Sequence, residues 1–166
     1  MESLNIISLL IIGVLGIICY QDLRYRILDI KYAIILLVLC CWYNAKHPLL
    51  NYKDALAIIG FIVLNILALL LYFSVKEKRF TNPIDVKIGL GDIVFFLAVI
   101  PLFITRHYIL FFISGLLFSL LIATTLKVIS KKNKPLPLAG YLSIYLSGIF
   151  IIYILFNNTF LNLGNH

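Results

Sequence analysis

The sequence predicts an all-α, polytopic membrane protein of about six transmembrane helices. Three observations carry that expectation. The chain of 166 residues is 63% hydrophobic and only 13% charged, with a mean hydropathy of +1.07. A soluble domain is nearer half apolar and a quarter charged, and this chain lacks the polar residues to cover its apolar surface in water. The apolar residues come in long blocks rather than at amphipathic spacing, as a hydrocarbon layer about 30 Å thick requires. The basic residues alternate between the connections that separate those blocks.

The first block is Leu4–Tyr20. Met1-Glu2-Ser3 ahead of it carries no basic region, and no small-residue cleavage site follows, so the block is expected to be retained as a membrane helix. The second, Ile27–Tyr43, has Asp29 and Lys31 in its first turns. The third is Ala55–Phe73. The fourth, Leu90–Ile104, opens on Gly91-Asp92 and meets Pro101 near its end. Tyr108–Leu126 and Leu138–Phe156 complete the set, in one domain over residues 1–166. Because the second and fourth are short or interrupted, five helices with one re-entrant segment is the alternative.

Charge placement orients these blocks. Eleven of the 14 basic residues fall between blocks 1 and 2 (Arg24, Arg26, Lys31), 3 and 4 (Lys76, Lys78, Arg79, Lys87), and 5 and 6 (Lys127, Lys131, Lys132, Lys134). Lys46, Lys53 and Arg106 lie in the two opposite connections. The positive-inside rule then puts the larger set in the cytoplasm and both termini on the other side of the inner membrane. Membrane topology, with attraction to anionic lipid headgroups, accounts for the net charge of +7, and no nucleic-acid partner is needed.

Cys19, Cys40 and Cys41 read as small buried apolar residues, without the paired spacing of a zinc site. His47, His107 and His166 are scattered over outer connections and the terminus, so no metal is expected. Tyr20, Trp42, Tyr43 and Tyr72 fit an interfacial aromatic belt. Asn65 and the hydroxyls of the long blocks are expected to bond to one another or to the backbone.

Acidic residues are few: Glu2, Asp22, Asp29, Asp54, Glu77, Asp85 and Asp92. A carboxylate at a membrane-helix centre costs about 2.5–3.5 kcal/mol on insertion scales, so one near that depth calls for a reason. Asp22 directly follows block 1 and Asp92 begins block 4, and the topology brings both to the cytoplasmic end. Taken singly, Asp92 is a helix cap and Asp22 a partner for Arg24 or Arg26. Gly89 and Gly91 change the balance, because they admit positive φ and the close approach of another chain. A wet notch holding both carboxylates is a place where water can meet a peptide bond. Asp29 and Asp85, each seven residues before or after one of the pair, read as solvated or paired with Arg26 and Lys87. Asn at either position is expected to cost little activity.

Three segments resemble the prepilin peptidase family of intramembrane aspartic proteases. They are Asp22-Leu23-Arg24-Tyr25-Arg26-Ile27-Leu28, the Gly-x-Gly-Asp run Gly89-Leu90-Gly91-Asp92, and Pro135-Leu136-Pro137-Leu138-Ala139-Gly140-Tyr141-Leu142. Asp29-Ile30 stands where the family usually has Pro-Asn, and Val94 where it often has lysine; both departures bear on substrate preference. The resemblance implies that Asp22 and Asp92 are catalytic, with Gly89, Gly91, Arg24, Arg26, Pro135 and Pro137 in support. It implies no cofactor, and a prepilin or pseudopilin substrate with a basic leader and an apolar helix, as in type IV pilus assembly or protein secretion. The larger members' cysteine-bearing insertion is missing, so the resemblance implies cleavage without N-methylation. A presenilin-like protease shares Gly-x-Gly-Asp, but there a tyrosine directly precedes the first aspartate, and here Gln21 intervenes. A non-catalytic assembly subunit or small transporter is the alternative from another class. A transporter, however, calls for polar residues near the bilayer midplane.

Overall fold

The computed structural model describes residues 2–26, 28–77, 89–130 and 137–163. Among them lie six α-helices, one 3-10 turn and no strand: α1 (Glu2–Tyr25), α2 (Ile30–Lys46), α3 (Tyr52–Glu77), α4 (Leu90–Ala98), the turn Ile100–Leu102, α5 (Thr105–Ser130) and α6 (Leu138–Leu163). Three stretches, Ile6–Tyr25, Tyr52–Tyr72 and Thr105–Leu126, are long and apolar enough to cross a membrane. The architecture is that of an all-helical polytopic membrane protein.

Several boundaries differ from the sequence expectation, and each difference has a cause. Helix α1 runs on to Tyr25, so Asp22 lies inside its last turn rather than after it. The chain leaves α1 through Arg26, whose φ of 56° is left-handed and whose N–H donates to the Asp22 carbonyl at 3.0 Å. Helix α2 begins only at Ile30, where Asp29 serves as its N-cap and accepts from the Lys31 N–H at 3.2 Å. Asp29 is therefore a cap, and no ion pair to Arg26 forms among the described residues. The fourth block divides: α4 is nine residues long, about 14 Å, and Pro101 gives way to the 3-10 turn. At that break the buried Tyr108 hydroxyl donates to the Phe96 carbonyl at 3.0 Å.

The core gathers along helix stripes. On α1 the buried positions are Ile7, Ile11, Leu15, Ile18 and then Asp22, at spacings of three and four. This face packs chiefly on α6, through residues such as Ala139, Leu142 and Leu146, and next on α2. Helix α3 is the least buried of the long helices and presents its leucines outward, as lipid contact requires. At its start the Asp54 carboxylate accepts from the Thr105 hydroxyl at 2.5 Å and the Thr105 N–H at 3.3 Å, tying α3 to α5.

Several polar groups inside the helices are satisfied locally. Asn65 donates to the Phe61 carbonyl, and Ser119, Ser143 and Ser147 each donate to the carbonyl four residues earlier. Two expectations fail. Tyr43 is buried, with its ring edge-on to Phe150, rather than belonging to an interfacial belt. Cys41 is exposed, whereas Cys40 is buried as expected.

Candidate active site

The end of α1, the start of α4 and the start of α6 meet at one end of the bundle. Helix α6 explains why. The Pro137 carbonyl accepts from the Tyr141 N–H at 3.3 Å, so Pro137 occupies the N-cap position. Proline has no side-chain acceptor, and the first amides of a helix have no partner within it. Two carboxylates from elsewhere in the chain take that place. The Ala139 N–H donates to Asp92 Oδ1 at 3.0 Å, and the Gly140 N–H donates to Asp22 Oδ2 at 2.6 Å.

Neighbouring amides thus hold the two aspartates together. The bond lengths, with one residue of backbone between the amides, keep the two bonded oxygens within about 10 Å of each other. Asp22 is buried, Asp92 is half-buried, and Asp92 feels the charge of Asp22. The positive end of the α6 dipole faces both. Among the described residues, the second oxygen of each carboxylate has no hydrogen-bond partner. Those oxygens remain available to a water or a peptide carbonyl.

The glycines act by close approach. No glycine among the described residues has positive φ; Gly89, the N-cap of α4, has φ −65°. At Gly91 a Cβ would lie 2.6 Å from Leu28 Cβ, so its absence lets the start of α4 press against the connection leading into α2. At Gly89 a Cβ would lie 3.1 Å from Asp92 Oδ2, and at Gly140 one would lie 3.2 Å from Asp22 Oδ2. Gly140 is a site residue that sequence reading quoted but gave no role. Its signal was present, since a glycine in the first turn of an apolar helix invites close contact there.

The supporting residues divide. Arg24 turns away: its guanidinium donates to the Tyr20 hydroxyl and lies over the Tyr20 and Tyr25 rings, 5.6 and 5.4 Å from their centroids. Arg26 is exposed and acts on Asp22 through its charge. Pro137 is buried at the head of α6. Pro135 and Asp85 lie outside the described residues. One further side chain joins the site, Tyr141, buried and within electrostatic reach of Asp22; Gln21, next to Asp22 in sequence, has its Oε1 buried with no hydrogen-bond partner. Among the described residues, no three His, Cys, Asp or Glu side chains converge as metal ligands would.

A family model described as the type IV leader peptidase family matches residues 9–126, a stretch that holds Asp22, Gly89, Gly91 and Asp92 and stops short of α6. No curated protein and no solved structure matches the chain.

Proposed function

The chain belongs to the type IV leader peptidase family, and from that premise we propose that it is an aspartic endopeptidase whose catalytic pair is Asp22 and Asp92. The observation that carries the proposal is the capture of both carboxylates by consecutive amides of one helix end. Two carboxylates so placed share one proton, because a second negative charge beside the first is disfavoured. The ionised member takes a proton from the attacking water. The protonated member donates to the scissile carbonyl oxygen, and a proton later reaches the leaving amine. The amides of Ala139 and Gly140 fix where each carboxylate lies.

In this reading the site faces the cytoplasm from a multi-pass protein of the inner membrane. Its substrate is a prepilin-like protein with a basic leader ahead of an apolar helix, cut without N-methylation. The basic residues at this end, Arg24 and Arg26 among them, support the orientation.

One observation favours a second reading. Asp54 makes a similar cross-helix cap to Thr105, away from this site, so capping alone does not signify catalysis. Asn separates the two readings because it also caps well. Co-expression with candidate prepilins, scored by leader removal and by product mass, tests the proposal. Asp22→Asn and Asp92→Asn are each expected to abolish cleavage while insertion stays normal. Normal processing by either variant refutes the catalytic assignment.

A further inference from the structure

A cleft of ≈ 400 Å³ opens where α1 passes into α2, lined by Gln21, Tyr25, Leu28, Asp29 and Ile30; Leu28 also meets Gly91, the residue before Asp92. Its walls are of two kinds. Tyr25, Leu28 and Ile30 supply an aromatic face and two aliphatic faces. Gln21 and Asp29 supply acceptors. The Gln21 side-chain oxygen is buried without a partner, a condition that ordinarily costs about 1–3 kcal/mol and is relieved by an incoming donor. Asp29 spends only one oxygen on its cap, accepting from the Lys31 N–H through Oδ1.

The end of α1 adds to these acceptors. Gln21 and Tyr25 belong to the last turns of α1, the negative end of that helix's dipole. The opposing positive end of α2 is already met by the Asp29 carboxylate. Of the nearby cations, Arg24 is engaged with Tyr20 and the Tyr25 ring. Arg26 and Lys31 are exposed, and neither forms an ion pair with Asp29 among the described residues. A long side chain with an apolar stem and a cationic end suits such a cleft: the stem lies on Leu28, Ile30 and the Tyr25 ring, and the charge meets Asp29.

We propose that this cleft is the subsite for a lysine or arginine side chain of the substrate, with Asp29 as the specificity-determining residue and Gln21 accepting a substrate N–H beside the aspartate pair. The inference rests on the peptidase reading above, and it gives Asp29, expected from sequence to be a bystander, a role in recognition.

The test uses the full chain in detergent, with a synthetic peptide carrying one lysine ahead of an apolar helix and a matched peptide with glutamine in its place. Binding is measured on the Asp92→Asn variant, so that it does not depend on turnover, and cleavage on the otherwise wild-type chain. Asp29→Asn keeps the α2 cap and removes the charge. The expected result is about tenfold weaker binding of the lysine peptide and no change for the glutamine peptide. In cleavage, KM rises with kcat retained. Asp29→Lys should reverse the preference toward a glutamate peptide. Equal binding of both peptides to the parent, or equal weakening of both by Asp29→Asn, overturns the proposal. Lysine-selective binding without cleavage leaves the subsite standing and refutes the peptidase reading. Cleavage with one KM for both peptides does the opposite.

Discussion

Asp22 and Gly140 are 118 residues apart in sequence, yet the Gly140 N–H donates to Asp22 Oδ2 at 2.6 Å. The contact leaves little room for a side chain. A Cβ at position 140 would stand 3.2 Å from that oxygen, 3.4 Å from Asp22 Cβ and 3.5 Å from the Cys19 carbonyl oxygen. Two of those three neighbours belong to fixed parts of α1. Gly140→Ala should therefore displace the carboxylate by a few tenths of an ångström and lower leader cleavage by about tenfold. Gly140→Val should abolish it. Equal accumulation of both variants in the membrane, measured alongside cleavage, separates misplacement from failure to insert.

Gly91 offers a sharper geometric test. Its missing Cβ would sit 2.6 Å from Leu28 Cβ, an atom every residue except glycine carries. Gly91→Ala should move the first turn of α4, and Asp92 with it, and depress cleavage strongly. Leu28→Ala should not rescue that variant, because the clashing atom remains. Leu28→Gly should restore part of the activity. A double-mutant cycle on cleavage rates measures the coupling, and additive losses would show that the two positions do not meet as described.

Much of this candidate site could be read from the sequence, and the missing part has a physical reason. Asp22 and Asp92 stood out because carboxylates are scarce in an apolar chain, and Gly89 and Gly91 because they stand just before one of them. The start of α6 at Leu138 was also legible, from Pro137 ahead of an unbroken apolar run. The capping partners were not legible, because Ala139 and Gly140 act through backbone amides, which are the same in every residue but proline. The end of α1 was misplaced for a related reason. Gln21 to Tyr25 look polar enough to lie outside a membrane helix, but Asp22 continues the buried stripe of Ile11, Leu15 and Ile18.

The proton-sharing pair proposed above predicts a bell-shaped dependence of cleavage on pH. With both carboxylates protonated there is no base for the water, and with both ionised there is no acid for the carbonyl. The two limbs belong to the coupled pair rather than to either residue. Initial rates for one prepilin, followed across pH in detergent, check this. A rate that rises to a plateau and stays there at high pH would show that no protonated carboxyl is needed.

Arg26 leaves α1 with φ at 56°, in a region that costs a non-glycine residue about 1–3 kcal/mol. Its N–H closes the last turn by donating to the carbonyl of Asp22 itself, so the chain reversal and the carboxylate share one residue. Arg26→Gly should preserve the reversal and raise thermal stability, because glycine adopts that conformation freely. Arg26→Pro should destroy it, since proline fixes φ near −65° and has no N–H to donate. Unfolding of the purified variants in detergent, read with leader cleavage, tests both. Arg26 also acts on Asp22 through its charge, and Arg26→Gly removes that charge as well. A glycine variant that is more stable yet slower would therefore assign the backbone of Arg26 to the fold and its side chain to the pair.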